Sequence, residues 1–198
     1  MVSDRLRALL SPVLNSIAGR LARLGLTPNS LTVIGLVLNV GVALVLASGC
    51  LRWGGVLILV ASLADGLDGA LARHTGSVTR FGAFFDSTLD RYAEAALFTG
   101  LVWHFATVGA RTEAVLAVVA LFGSLAVSYA RARAEGLGIS CTVGLLTRAE
   151  RMIVLALGLA AGLTLATLWV LAVFTHITAI QRILHVHKVA AAEGQTLR

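Results

Sequence analysis

Four of the five aspartates in this 198-residue chain fall within a single short stretch, at Asp65, Asp68, Asp86 and Asp90. The first two are three residues apart and the second two are four apart, so each pair shares one face if its segment is helical. Carboxylates gathered in one place repel one another and favour their protonated forms. Divalent cations remove that repulsion, and hard oxygen donors suit Mg²⁺ or Mn²⁺. Such a site can stabilise charge developing on a phosphate and can take a proton from an alcohol.

The elements that carry these acids are apolar. Hydrophobic residues make up 58% of the chain, charged residues 13%, and the mean hydropathy is +0.89. A soluble domain is nearer half apolar and a quarter charged. Apolar runs over residues 30–48, 54–73, 82–105, 113–134, 146–162 and 165–187 predict an all-α integral membrane protein with six transmembrane helices. The last apolar run is almost unbroken from Met152 to Val186, with a turn expected near Gly162 to Thr167. An aspartate at the centre of a span costs about 2.5–3.5 kcal/mol, so the four aspartates, read as the only acids inside the spans, need a compensating charge. Residues 74–81 are a short connection, predicting that the second and third spans pack as antiparallel neighbours and bring the two acid pairs to one depth. Gly66, Gly69, Ala70, Ala72, Gly82 and Ala83 leave room for close approach.

Ahead of the spans, Leu6, Leu9, Leu10, Val13, Leu14, Ile17, Leu21 and Leu24 recur at helical spacing among Arg5, Arg7, Arg20 and Arg23. This pattern predicts a cytoplasmic juxtamembrane amphipathic helix over 1–27, followed by a six-helix domain over 28–198. Pro28 opens the new element, with Thr27 or Asn29 as its cap. No short apolar leader with a cleavage site is expected at the N-terminus.

The formal charge is +6. The basic residues sit between apolar runs, so they mark topology rather than nucleic acid. Of the lysines and arginines only Arg52 and Arg111 fall on the side opposite the termini, which predicts a multi-pass protein of the cell (inner) membrane with both termini and the acidic site facing the cytoplasm. Cys50 and Cys141 form no CxxC pair, so neither a disulfide framework nor a zinc site is expected. His74, in the connection, and His185 and His187, two apart, suit interface positions.

The segment Asp65-Gly66-Leu67-Asp68-Gly69-Ala70-Leu71-Ala72-Arg73, then eight residues, then Gly82-Ala83-Phe84-Phe85-Asp86-Ser87-Thr88-Leu89-Asp90 resembles the CDP-alcohol phosphotransferase family, whose pattern is DxxDGxxAR-x8-GxxxDxxxD. Every position of the pattern is matched, and the likeness extends over most of the chain, including the Thr27-Pro28-Asn29 entry to the first span. The resemblance implies transfer of a phosphatidyl-type group from a CDP-linked lipid to an alcohol, with release of CMP, within phospholipid biosynthesis. It implies two Mg²⁺ (or Mn²⁺) ions, with Asp65 and Asp86 bridging both, Asp68 completing one site and Asp90 the other. Asp90 becomes the candidate general base. Pro28, Asn29, Ser30, Leu31, Gly69, Arg73, Thr79 and Gly82 are implied to hold the CDP-lipid, and the protein is implied to be a homodimer among membrane lipids. Arg73, one turn beyond Gly69, offers a fork of donors to phosphate.

The acceptor side is read from the remaining cations. Arg182 lies among Ile180, Ile183 and Leu184 and needs a partner or water there. Arginines near the metals suit a phosphate dianion, so Arg131, Arg151 and Arg182 are the candidates for the acceptor phosphate. Arg131, Arg133 and Arg148 read equally well as topology signals. The stretches Ser128–Glu135, Gly144–Arg151 and Thr178–Arg182 are similar to the prokaryotic phosphatidylinositol phosphate synthase branch of the family, which makes a polyol phosphate, inositol phosphate first, the expected acceptor. Glycerol 3-phosphate is the alternative acceptor, and a cation transporter using the acidic cluster is the more distant one.

Overall fold

The computed structural model describes residues 16–196, which are helical apart from turns and one longer loop, with no strand among them. Of the N-terminal amphipathic helix expected over 1–27, residues 1–15 lie outside the described residues. Residues 16–23 form α1, whose Ala18 is buried against Ala70 and Leu71. Six longer helices follow: α2 (Pro28–Ala47), α3 (Leu51–His74), α4 (Arg80–Thr107), α5 (Arg111–Glu135), α6 (Arg148–Ala160) and α7 (Thr164–Thr196). They fall where the apolar runs predict them, and α7 runs beyond its apolar stretch.

Local chemistry sets the boundaries. Thr27 caps α2: its hydroxyl accepts from the Ser30 amide at 3.2 Å while the Ser30 hydroxyl accepts from the Thr27 amide at 3.0 Å. Pro28 occupies the first turn, where its missing N–H costs nothing. The long apolar run from Met152 is split at Gly162, whose φ of 76° is open to glycine and strained for other residues. The Leu163 amide closes that turn on the Gly158 carbonyl at 2.8 Å, the six-residue return that ends a helix. His74 is the last residue of α3 rather than part of the connection.

Four helices, α2, α3, α5 and Thr164–Ala192 of α7, are long and apolar enough to cross a membrane by length and composition. With α6 at 13 residues, the helix is about 20 Å long, short of the ~30 Å hydrocarbon core. The charged residues Asp86, Asp90, Arg91 and Glu94 set α4 apart from the apolar four. Large apolar side chains such as Val37, Leu44, Trp53, Trp103 and Phe122 face outward from the bundle, the surface of an integral membrane protein rather than one facing water.

The helices pack α2 against α3 and α4, α3 against α6, α4 against α5, α5 against α7, and α6 against α7. This corrects the expectation that α3 and α4 pack directly along their lengths: each packs on α2 instead, and the two meet through their aspartates at one end. The connection 75–79 ties their ends together, but small residues decide which flanks meet. Gly100 of α4 admits the Ala43 carbonyl of α2, and a Cβ at Gly55 of α3 would come within 2.5 Å of the α6 backbone at Ala156 and Ala160. The main core, including Leu46, Ile58, Leu101, Phe105, Leu116, Leu159 and Leu168, gathers toward the end of the bundle where α2, α4 and α6 finish. The opposite end, where those helices begin and α3 finishes, is left for polar groups.

Candidate active site

At that polar end, Asp65 and Asp68 of α3 and Asp86 and Asp90 of α4 line one narrow cavity together with Thr32, Leu36, Leu89 and Ala93. Its free space is about 10 Å³, the scale of a single water-sized sphere. The four sequence-predicted aspartates are thus brought together, with α2 forming part of the wall. Thr32, which the sequence reading missed, donates its hydroxyl to Asp68 Oδ2 at 2.8 Å, and the Gly69 amide donates to Asp68 Oδ1. Gly35 seats Asp65 on α2, since a Cβ there would come 2.8 Å from Asp65 Oδ1.

One guanidinium holds two of the acids. Arg148 Nη2, at the first turn of α6, lies 3.1 Å from Asp65 Oδ2 and 2.9 Å from Asp90 Oδ1. Arg91 Nη1 approaches Asp90 Oδ2 at 3.5 Å. Sequence reasoning weighed Arg148 evenly between a ligand role and a topology signal and did not foresee its pairing with the aspartates, because its partners stand 83 and 58 positions away in the chain. Asp86 faces Asp68 across the cavity. Four carboxylates therefore meet two arginines, and an excess of negative charge remains. An all-oxygen donor set with that excess fits a hard divalent cation. Among the described residues no three Asp, Glu, His or Cys side chains are drawn close enough to enclose an ion as they stand. The acids fit such an ion chemically, and here Arg148 occupies the space between two of them.

A fifth acid corrects the expectation that the four aspartates are the only acids inside the spans. Glu94 of α4 is fully buried and grips Arg151 of α6 with both oxygens, Nε to Oε1 at 2.9 Å and Nη2 to Oε2 at 3.0 Å. Its signal was present: Glu94 lies four residues after Asp90 and eight after Asp86, on the same helical face. The fork-to-fork geometry commits the guanidinium that was assigned to an acceptor phosphate.

The other two acceptor candidates differ. Arg182 of α7 is buried and donates to the Val127 carbonyl at 2.6 Å and the Val143 carbonyl at 3.0 Å, tying α5 and the 136–147 loop to α7. Those carbonyls supply the partners that an arginine in an apolar run requires. Arg131 is exposed and pairs along its helix with Glu135 at 2.8 Å. Arg131 and Arg151 both lie within electrostatic range of Arg182, so the three share a neighbourhood.

The residues assigned to the CDP-lipid also gather at the polar end. Thr79 caps α4, its hydroxyl accepting from the Gly82 amide at 2.9 Å, and a Cβ at Gly82 would lie 3.0 Å from Thr79 Oγ1 and 3.5 Å from Asn29 Oδ1. The start of α2, with Pro28, Asn29, Ser30 and Leu31, therefore meets the start of α4. Arg73 folds back to within 3.3 Å of where a Gly69 Cβ would stand. Cys50 and Cys141 are free thiols, and His185 Nε2 lies 3.0 Å from the Ser140 carbonyl oxygen.

Comparison with known proteins agrees with this geometry. The family model for CDP-alcohol phosphatidyltransferase matches residues 25–191. The phosphatidylinositol phosphate synthase of Mycobacteroides abscessus is 38% identical over 95% of this chain and 88% of its own length. The crystal structure of the Mycobacterium tuberculosis phosphatidylinositol phosphate synthase with CDP-DAG bound superposes with a TM-score of 0.84 at 35% identity, covering 88% of this chain and 94% of that one. The same Mycobacterium tuberculosis protein in complex with manganese and citrate gives a TM-score of 0.83 at 35% identity, covering 87% and 88%. With its motif aspartates lining one cavity and the family model matching residues 25–191, this chain belongs to the CDP-alcohol phosphatidyltransferase family and is a transferase.

Proposed function

We propose that the protein transfers the phosphatidyl group of CDP-diacylglycerol to a hydroxyl of inositol phosphate, releasing CMP. The observation that carries this reading is the convergence of Asp65, Asp68, Asp86 and Asp90 on one cavity at the polar end of the bundle. In this reading the four carboxylates hold two divalent cations, Mg²⁺ or Mn²⁺. Bound there, such cations supply charge neutralisation on the diphosphate and on the departing CMP. Asp90 takes the proton of the acceptor hydroxyl as its oxygen attacks the lipid-linked phosphorus. Pro28, Asn29, Ser30, Leu31, Gly69, Arg73, Thr79 and Gly82 hold the CDP portion. Arg131 and Arg182 draw the acceptor phosphate, and Arg151 adds positive potential from its place against Glu94.

The reading extends to the whole protein. The six helices over 28–198 cross the cell membrane with both termini and the site on the cytoplasmic side, as the arginine distribution favours. The amphipathic sequence pattern of residues 1–27 suits the cytoplasmic interface, and the family resemblance favours assembly of two copies as a homodimer.

The test is to incubate purified protein with CDP-diacylglycerol, Mg²⁺ or Mn²⁺, and separately inositol phosphate, inositol and glycerol 3-phosphate, then identify the lipid product. Metal-dependent formation of phosphatidylinositol phosphate is expected. A product with glycerol 3-phosphate alone would reassign the acceptor, and CMP release independent of metal would defeat the mechanism.

A further inference from the structure

We propose that Arg148 is a built-in counter-ion that competes with the divalent cation for Asp65 and Asp90, and that its guanidinium must swing away for the site to load. The proposal rests on the reading that the four aspartates bind divalent cations. It goes beyond that reading by giving the chain's own cation a role in loading.

The geometry points this way on three counts. First, a single nitrogen, Nη2, is within 3.1 Å of Asp65 Oδ2 and 2.9 Å of Asp90 Oδ1, so it stands between one acid from each pair. A cation taking those two oxygens would need that same space. Second, the pose is incomplete: Arg148 Nε is buried without a hydrogen-bond partner, which makes the arrangement costly to hold and easy to give up. Third, the helix that carries Arg148 is anchored independently. Arg151, one turn on, is locked to Glu94, and the Thr147 amide donates to Glu150 Oε2 at 2.8 Å. The backbone of α6 is thereby fixed while the Arg148 side chain, about a fifth exposed, has an outlet. Without a cation the acids keep a positive partner, and with one the guanidinium is displaced.

The test is Mn²⁺ binding, read by electron paramagnetic resonance on detergent-purified protein without lipid substrate, in the wild type, Arg148→Gln and Arg91→Gln. Arg148→Gln is expected to bind Mn²⁺ about tenfold or more tightly than wild type, because two charge-assisted bonds no longer have to be broken. Its unfolding midpoint is expected to fall in EDTA and recover with Mn²⁺. Arg91→Gln removes the same charge nearby without vacating the space between Asp65 and Asp90, so its Mn²⁺ affinity should move by less than about threefold. Equal or weaker binding in Arg148→Gln, or equal tightening in Arg91→Gln, would overturn the proposal while leaving the metal site itself standing. No Mn²⁺ binding by either wild type or Arg148→Gln would remove the metal site and the proposal together. If Arg148→Gln does not fold, Arg148→Lys serves instead: without the guanidinium the side chain no longer sets a nitrogen at the Nη2 position between both acids, and unchanged Mn²⁺ affinity would overturn the idea.

Discussion

Arg148 and Arg151 sit one turn apart on α6, and their surroundings are opposites. Arg151 meets one acid, Glu94, with two parallel bonds, and both side chains are sealed from solvent. Arg148 meets two acids through one nitrogen, leaves Nε unpartnered, and those two acids line one cavity with two further aspartates. The first pair is balanced in charge and complete in hydrogen bonds, so it has nothing left to bind. The second is short of positive charge and short of partners. Buried charge that is matched one to one holds helices together, whereas buried charge left in excess is held in readiness for a ligand. On one helix, three residues separate a structural joint between α4 and α6 from the edge of a reaction centre.

That contrast can be broken from either side. Asp90→Asn removes the proposed base, and CMP release should fall by about 10²–10⁴-fold while the unfolding midpoint changes little. Substantial activity in that variant would remove Asp90 from the chemistry. Glu94→Ala leaves Arg151 buried and unpaired, and should cost about 3–5 kcal/mol of stability in detergent unfolding. Adding Arg151→Met should restore much of that loss, since an apolar replacement of the whole pair is often neutral. Thr32→Val deletes one hydrogen bond to Asp68, and kcat/KM for CDP-diacylglycerol should drop about tenfold with stability nearly intact. Arg131→Ala removes only an exposed pair worth under about 1 kcal/mol, so unfolding should not register it. Its mark should be a raised KM for inositol phosphate with an unchanged KM for CDP-diacylglycerol, and unchanged values for both would place Arg131 outside the acceptor pocket.

Much of this was legible in the chain. Apolar runs located every long helix, because the bilayer demands continuous apolar length. Pro28 after Thr27 marked a helix start, and Gly162 fell at the edge of the region expected to split the last run. The four aspartates converge as their spacing implies. What escaped was long-range. Nothing local says that α2 takes the main contacts of both α3 and α4, because Gly100 meeting Ala43 is visible only once the helices are packed. Arg148 read equally as a boundary charge or a ligand residue, and its pairing with the aspartates escaped because its partners are on α3 and α4. Glu94 was passed over although its helical phase matched Asp86 and Asp90, since one acid in an apolar helix shows its purpose only when Arg151 is seen against it. Thr32 was hidden for a similar reason: a hydroxyl one turn into α2 carries no signal of Asp68 on α3.

The most direct measurement is anomalous diffraction from crystals soaked in manganese. Peaks are expected in the cavity bounded by Asp65, Asp68, Asp86 and Asp90, with the Arg148 guanidinium displaced from Asp65 and Asp90. Manganese bound only elsewhere, or none in that cavity at saturating concentration, would contradict the assignment of these four carboxylates as the metal-binding heart of the enzyme.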